Sequence, residues 1–216
     1  MAHIVGLCGI DGSGKTTVAR EVVQTLSRRG IRTRYHHELD FAMGKLLVRL
    51  GGFLMGSNRA TNMKDTMLFQ KEQNRPVISL MYHLLVWLDS LLAFVWFRLT
   101  PGVVVHDRWP SDFLLQFKNR GYRNRLIWAL FAHFPRPNTL ILLQVPPDVA
   151  FDRKKNDPGH LHDGQDFFER LAEWMDQIAE KYHYDVKVDA STDVKTVVGK
   201  VTAVIEAGAG LPNSTQ

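Results

Sequence analysis

HIVGLCGIDGSGKTTVAREVVQTLSRRG, residues 3–30, is the stretch that decides the fold. Its first six residues form a short apolar run ending at a glycine, the pattern of a buried strand. Residues 16–30 place Val18, Val22, Val23 and Leu26 on one helical face, with Gly30 as the stop. Between strand and helix, Gly9-Ile10-Asp11-Gly12-Ser13-Gly14-Lys15-Thr16 fills every position of G-x-x-x-x-G-K-[ST]. Glycines let the backbone curl until consecutive N–H groups converge on phosphate oxygens, and the helix opening near Lys15 adds the positive end of its dipole. The binding set is therefore Gly9, Asp11, Gly12, Ser13, Gly14, Lys15, Thr16 and Thr17. Lys15 neutralises the β- and γ-phosphates of ATP, and Thr16 offers a hydroxyl to Mg2+. A chance match arises in on the order of one chain in a hundred of this length. The flanking strand and helix lower that further, so a purely structural glycine turn is a poor account.

Working outward, residues 31–36 read as a second strand, and 42–55 and 63–99 as helices separated by GSNRATN. Pro101-Gly102 breaks the chain before a continuous apolar strand at 103–106. Helices follow at Ser111–Phe117 and Arg125–Phe134, then a strand at 139–145 that Pro146-Pro147 stops. Helices at 147–155 and 165–182, a strand at 184–189 and a helix from near Asp193 complete the pass. Strands alternating with helices require a parallel sheet with right-handed crossovers. The expectation is an α/β, three-layer P-loop NTPase fold with five parallel strands and a small lid. One domain spans 1–207 with the lid near 153–166, and the small, polar stretch 208–216 is expected to be a disordered tail.

Bulk properties fit that reading and narrow the alternatives. With 216 residues the chain suits a single domain with a full core. A net charge of +5 leans towards an acidic ligand, yet a solvated basic surface is the commoner cause and no nucleic-acid-binding signature is present. The single cysteine, Cys8, excludes an internal disulfide and suits a reducing, cytoplasmic setting. No export signal follows Met1. Val77–Leu99 is long and apolar enough to consider a bilayer, but Asp89 at mid-span would be costly there. A helix buried on nearly all sides is the expectation, with peripheral membrane contact as the lesser alternative.

The second chemical feature is Val103-Val104-Val105-His106-Asp107-Arg108-Trp109. A buried parallel strand that delivers a carboxylate at its C-terminal end serves a magnesium–phosphate site, because ligands bind outside those ends. Asp107 is thus a candidate metal ligand beside Thr16, and Arg108 a phosphate ligand. Alone, Asp-Arg after a strand could be a surface ion pair; beside a phosphate loop it carries more weight.

In this arrangement the chain resembles the thymidylate kinase family. Residues 4–20 are similar to that family's strand, loop and helix, including an acid inside the loop at Asp11. VVVHDRWPSDFLLQF (103–117) resembles its Asp-Arg-Tyr segment, one residue shorter between Trp109 and Ser111. NTLILLQVPPDVAFDRKK (138–155) resembles the strand and the acidic-Val-Ala-x-x-Arg helix that lead to the lid, and VDAS (188–191) the terminal strand end. The resemblance implies that Asp11 orients the acceptor or its magnesium and that Arg108 binds phosphate between donor and acceptor. It implies further that Arg153 stabilises the transferring phosphoryl group from the lid base, and that Asp189, Ala190 and Ser191 lie beside the adenine. Lys154 and Lys155 are weaker lid candidates.

The acceptor side departs from the family. An Arg-Glu-Pro-Gly-Gly-type segment is replaced by His36-His37-Glu38-Leu39-Asp40-Phe41, and Asp89-Ser90 stands where an Asp-Arg pair is usual. His36, His37, Glu38 and Asp40 are open to an acceptor role or to a solvated turn. His160-x-His162-Asp163 has metal-ligand residue types but reads better as part of a lid, and the basic run Lys118, Arg120, Arg123 and Arg125 as a solvated loop. The expected function is an ATP-dependent kinase acting on a small phosphorylated acceptor, a nucleoside monophosphate. The alternatives are a kinase of a sugar, sugar phosphate or lipid-linked acceptor and a nucleotide-binding regulatory module. A homodimer is expected.

Overall fold

Strand and helix alternate as the sequence requires over the residues that the computed structural model describes, 1–37, 76–119, 121–160 and 163–211. In chain order they are β1 (His3–Cys8), α1 (Lys15–Arg28), β2 (Thr33–His37), α2 (Pro76–Leu99), β3 (Val103–Asp107), α3 (Ser111–Asn119), α4 (Arg125–Ala132), β4 (Thr139–Gln144), α5 (Pro147–Lys154), α6 (Gln165–Tyr182), β5 (Val186–Asp189) and α7 (Val194–Ala209). The five strands form one parallel sheet in the order β2-β3-β1-β4-β5. Register pairs Val5 with Val105 and with Thr139, so β1 is hydrogen-bonded on both edges. That position explains why Ile4–Cys8 is apolar throughout and wholly buried.

Alternate residues of each strand feed two cores, one on each face of the sheet. Val5, Leu7, Val105, Ile141 and Leu143 pack against Val18, Val22 and Leu26 of α1 and Val197, Val201 and Ile205 of α7. On the other face Ile4, Cys8, Val104, Leu140 and Leu142 meet α2, α3, α4 and α6. The result is the three-layer arrangement expected. Cys8 is a buried free thiol within the second core.

Several element ends differ from the sequence expectation. The second strand runs Thr33–His37 rather than 31–36, which draws His37 into the sheet opposite Asp107. Helix α4 stops at Ala132, before Phe134, α3 continues to Asn119, and β5 begins at Val186. Helix α7 runs through Ala209 and ends on Gly210 in the left-handed conformation, φ 63°. The expected helix at 42–55, the part of 63–99 before Pro76, and Glu38, Leu39, Asp40 and Phe41 lie outside the described residues.

Helix α2 is not buried on nearly all sides. Val86, His83, Asp89, Ala93 and Phe97 are buried, whereas Leu88, Leu92, Val95, Trp96 and Leu99 form an exposed apolar stripe reaching 73% at Leu99. Spacings of four, three, one and three place that stripe on a single helical face. No helix among the described residues is long and apolar enough to cross a membrane.

Candidate active site

The sheet order puts the C-terminal end of β1 at the point where successive connections diverge, towards β3 and β2 on one side and β4 and β5 on the other. The loop Gly9–Thr16 leaves that end. Gly12 takes φ 90°, and a Cβ there would lie 2.7 Å from the Ala150 carbonyl oxygen, so only glycine allows this close approach to α5. Lys15 folds back over the loop, its Nζ donating to the carbonyls of Gly9 at 2.7 Å and Ile10 at 2.8 Å. It is 5% exposed, and burial followed by the positive charge of Arg108 lowers its pKa from the ordinary lysine value. Thr16 and Thr17 are exposed on the first turn of α1.

At the end of β3, Asp107 is fully buried. Its Oδ2 accepts from the Tyr35 hydroxyl at 2.9 Å and faces His37 Nε2 at 3.9 Å. Oδ1 has no hydrogen-bond partner among the described residues. Burial and then the Asp107 charge push the Tyr35 hydroxyl up to about 12. The next residue, Arg108, adopts φ 73°, a left-handed backbone that costs a non-glycine residue about 1–3 kcal/mol. Its Nη2 donates to Asp11 Oδ1 at 2.7 Å. Burial raises the Asp11 pKa, but Arg108, Lys15 and His160 outweigh it and hold the carboxyl well below the usual carboxylate range. Asp11, Lys15, Asp107 and Arg108, which the sequence nominated from two separate segments, thus share one strand-end cluster.

Arg153 sits on the other side of the loop. Its guanidinium donates to the carbonyls of Gly12 at 3.2 Å, Ala190 at 3.0 Å and Ser191 at 3.4 Å, tying the phosphate loop to the turn after β5. Asp189 closes that turn by accepting from Ser191 N at 2.9 Å and Ser191 Oγ at 2.6 Å. A cavity of about 340 Å³ opens beside it, lined by Ile10, Gln144, Pro146, Met175, Asp176 and Asp189 among others. Lys154 and Lys155 pair with Asp157 and Asp152 within a turn of their own segment. Lys118 lies over the Trp174 ring at 5.5 Å, while Arg120 and His162 fall outside the described residues.

On β2, His36 is buried, with its ring 4.7 Å from His106 and 4.8 Å from Phe97. Burial and then the His36 charge push the His106 imidazole down to about 3. Ser90 donates to the Val86 carbonyl and shares a small void with His106 and Trp109. Arg98 lies over the Phe94 ring and close to His3, at the start of β1, whose pKa is lowered by burial and then by the Arg98 charge. It therefore stands at the opposite end of the sheet from the loop and cannot replace an arginine at position 90.

Two residues stand in the site without a role from the sequence: His160, which reads there only as part of a lid, and Asp112, which the sequence does not single out. His160 reaches Asp11, with Nε2 3.8 Å from Oδ2, while its Nδ1 lies 2.7 Å from Asp163 Oδ2. Asp112 is an acid in the first turn of α3. It is 3% exposed, and neither carboxylate oxygen has a hydrogen-bond partner among the described residues. Burial raises its pKa to about 6, against the opposing pull of Lys15 and Arg108. In an unfolded chain the same group titrates near 3.8. Between those values the folded state binds the proton and the unfolded state does not, so stability falls as pH rises through that window, by about 3 kcal/mol in all. Asp112→Asn is expected to stabilise the protein by about 1–3 kcal/mol at pH 8 and by clearly less at pH 4.5. Urea melts of both proteins at the two pH values check this, and an equal gain at both would show that no buried charge is being removed.

The family model described as thymidylate kinase matches residues 7–201. A probable thymidylate kinase of Saccharolobus solfataricus is 25% identical over 212 residues, 95% of this chain and 98% of its own length. One from Archaeoglobus fulgidus is 27% identical, covering 94% of each chain. The thymidylate kinase of Xanthomonas oryzae pv. oryzae is 26% identical over 94% of this chain and 83% of its own. Among solved structures, a deoxyadenosine kinase from M. mycoides with dCMP and dCDP bound superposes with a TM-score of 0.62 at 15% identity. It covers 94% of this chain and 99% of that one, and is a likeness of fold.

Proposed function

The chain belongs to the thymidylate kinase family, and from that premise we propose that this P-loop nucleotide kinase uses ATP with Mg2+ to phosphorylate a nucleoside monophosphate other than thymidylate. The observation that carries the donor half is the convergence of the Gly9–Thr16 loop, Lys15 and the Arg108–Asp11 pair at one strand-end crevice. Transfer of this kind is chiefly positioning and electrostatics. Lys15 exchanges its two loop carbonyls for β- and γ-phosphate oxygens. Arg108, delivered from β3, bridges donor and acceptor phosphates, and Asp11 fixes its direction. A phosphate acceptor is already anionic near neutral pH and requires no strong base.

The chain's donor set fits a magnesium ion: Asp107 Oδ1 is buried without a hydrogen-bond donor among the described residues, and Thr16 is accessible at the start of α1. Those two residues would hold the ion, which when bound supplies charge neutralisation on the phosphates. Arg153 and Asp189–Ser191 frame the side of the loop where we place the adenine, and the segment 153–166 is the lid. Arg153 supports the transferring phosphoryl group only indirectly in this reading, by fixing Gly12.

Ser90 carries the acceptor half. A missing charged contact to a phosphate costs about 2–5 kcal/mol where the partner is left buried and unpaired. Of the cations that could compensate, Arg98 is at the wrong end of the sheet, and Arg59 and Arg75 lie outside the described residues. Thymidylate is expected to be at least about tenfold poorer in kcat/KM than the preferred acceptor, a difference of about 1.4 kcal/mol. The check is ADP release under saturating ATP and magnesium across nucleoside monophosphates, nucleosides and sugar phosphates. Thymidylate as the best acceptor would make Ser90 neutral variation, and a sugar phosphate as the best would move the enzyme to the alternative acceptor class.

A further inference from the structure

Resting on the kinase reading above, we propose that His160, oriented by Asp163, is a catalytic residue that contacts the terminal phosphoryl group of the donor. Asp11 is tied to Arg108, which leaves β3, so its carboxylate marks the side of the loop that faces β3 and β2. Arg153 and Ala190–Ser191 mark the opposite side, towards β4 and β5. The chain between α5 and α6 starts beside Arg153, yet it brings His160 across to Asp11, with Nε2 3.8 Å from Oδ2. His160 therefore spans from the donor side to the point where the phosphoryl group changes hands.

The residue is also built to stay there. Asp163 Oδ2 lies 2.7 Å from Nδ1, which fixes the ring orientation and leaves Nε2 as the functional nitrogen. Phe167 and Phe168 of α6 pack on the ring at centroid distances of 6.2 and 5.7 Å. Its side chain is 16% exposed, so it is supported from behind and open towards the loop. As an imidazolium, a histidine whose Nδ1–H is held by a carboxylate presents Nε2–H as a charged hydrogen-bond donor to an anion in the phosphate site. Arg153 is engaged with three backbone carbonyls, so His160 supplies the side-chain donor on this face. In the complex Nε2 exchanges Asp11 for a terminal phosphoryl oxygen, while Asp11 stays on Arg108.

The test separates this assignment from the kinase reading by including a measurement that needs no acceptor. Calorimetry compares ADP with the non-hydrolysable triphosphate AMP-PNP, each with magnesium, on wild type, His160→Gln and Asp163→Asn. His160→Gln is expected to weaken AMP-PNP about fivefold or more while changing ADP less than twofold, and Asp163→Asn to follow it in part. With the best acceptor, kcat for His160→Gln should fall at least tenfold, with the KM for ATP moving far less. Equal weakening of both nucleotides would assign His160 a structural role, and no change in either would remove it from the site. Failure of the kinase reading shows separately, as wild-type protein that releases no ADP with any acceptor.

Discussion

Lys15→Ala is expected to lower turnover about 100- to 1,000-fold, equivalent to about 3–4 kcal/mol of lost transition-state stabilisation. The size follows from the position of the ammonium group. It is buried at the mouth of the loop with two carbonyls and Asp11 around it, and no neighbouring cation can take its place without leaving its own partner. The same contacts imply a modest effect on the free protein. Removing the side chain opens the space it fills beside the Gly9 and Ile10 carbonyls, water entering there can satisfy them, and the melting temperature should drop by only a few degrees. The measurement pairs ADP release with a thermal melt monitored by circular dichroism. Near wild-type turnover from the folded variant would sink the assignment of this loop to catalysis.

Arg108→Ala should depress transfer by a similar factor while leaving ATP affinity within a few-fold of wild type. The guanidinium lies on the acceptor side of the loop, bonded to Asp11, and is not part of the ring of amides that grips the donor. Its loss also frees Asp11, whose carboxyl is ionised largely because Arg108 and Lys15 offset its burial. A negative charge left without its guanidinium beside the phosphates repels them, so the double variant Arg108→Ala/Asp11→Asn should recover part of the loss. Steady-state kinetics on the two single variants and the double, with a nucleotide-binding titration for each, gives the coupling between them. Additive losses would mean that the pair does not act as a unit.

How much of this was readable beforehand depends on the distance over which each feature is encoded. The Gly9–Thr16 loop and the Asp107–Arg108 step are local: residue type and spacing suffice, and the apolar runs either side fix their strands. The parallel sense of the sheet needed only the alternation of strand and helix, whereas the order β2-β3-β1-β4-β5 came from the structure. The second strand slipped because Ile31 is apolar and β-branched and extends the run backwards, whereas pairing with Val103 begins at Thr33. Asp112 carried no sequence signal because its burial comes from tertiary packing of α3. His160 is 149 residues from Asp11, and nothing in its neighbours says which face of the sheet it visits; the one usable signal was a histidine three residues from an acid in the segment before α6. The two-faced character of α2 was hidden by its composition, since an apolar residue towards solvent reads the same as one towards the core.

The left-handed backbone at Arg108 bears on how this protein can be improved in the laboratory. Glycine at that position would relax the strain that an arginine carries at φ 73°, so a library ranked by yield or heat resistance would favour it. Every such winner would lack the guanidinium. A campaign that scores abundance alone would therefore select against the guanidinium that we assign to transfer, and the position should be held fixed before any round of stabilisation begins.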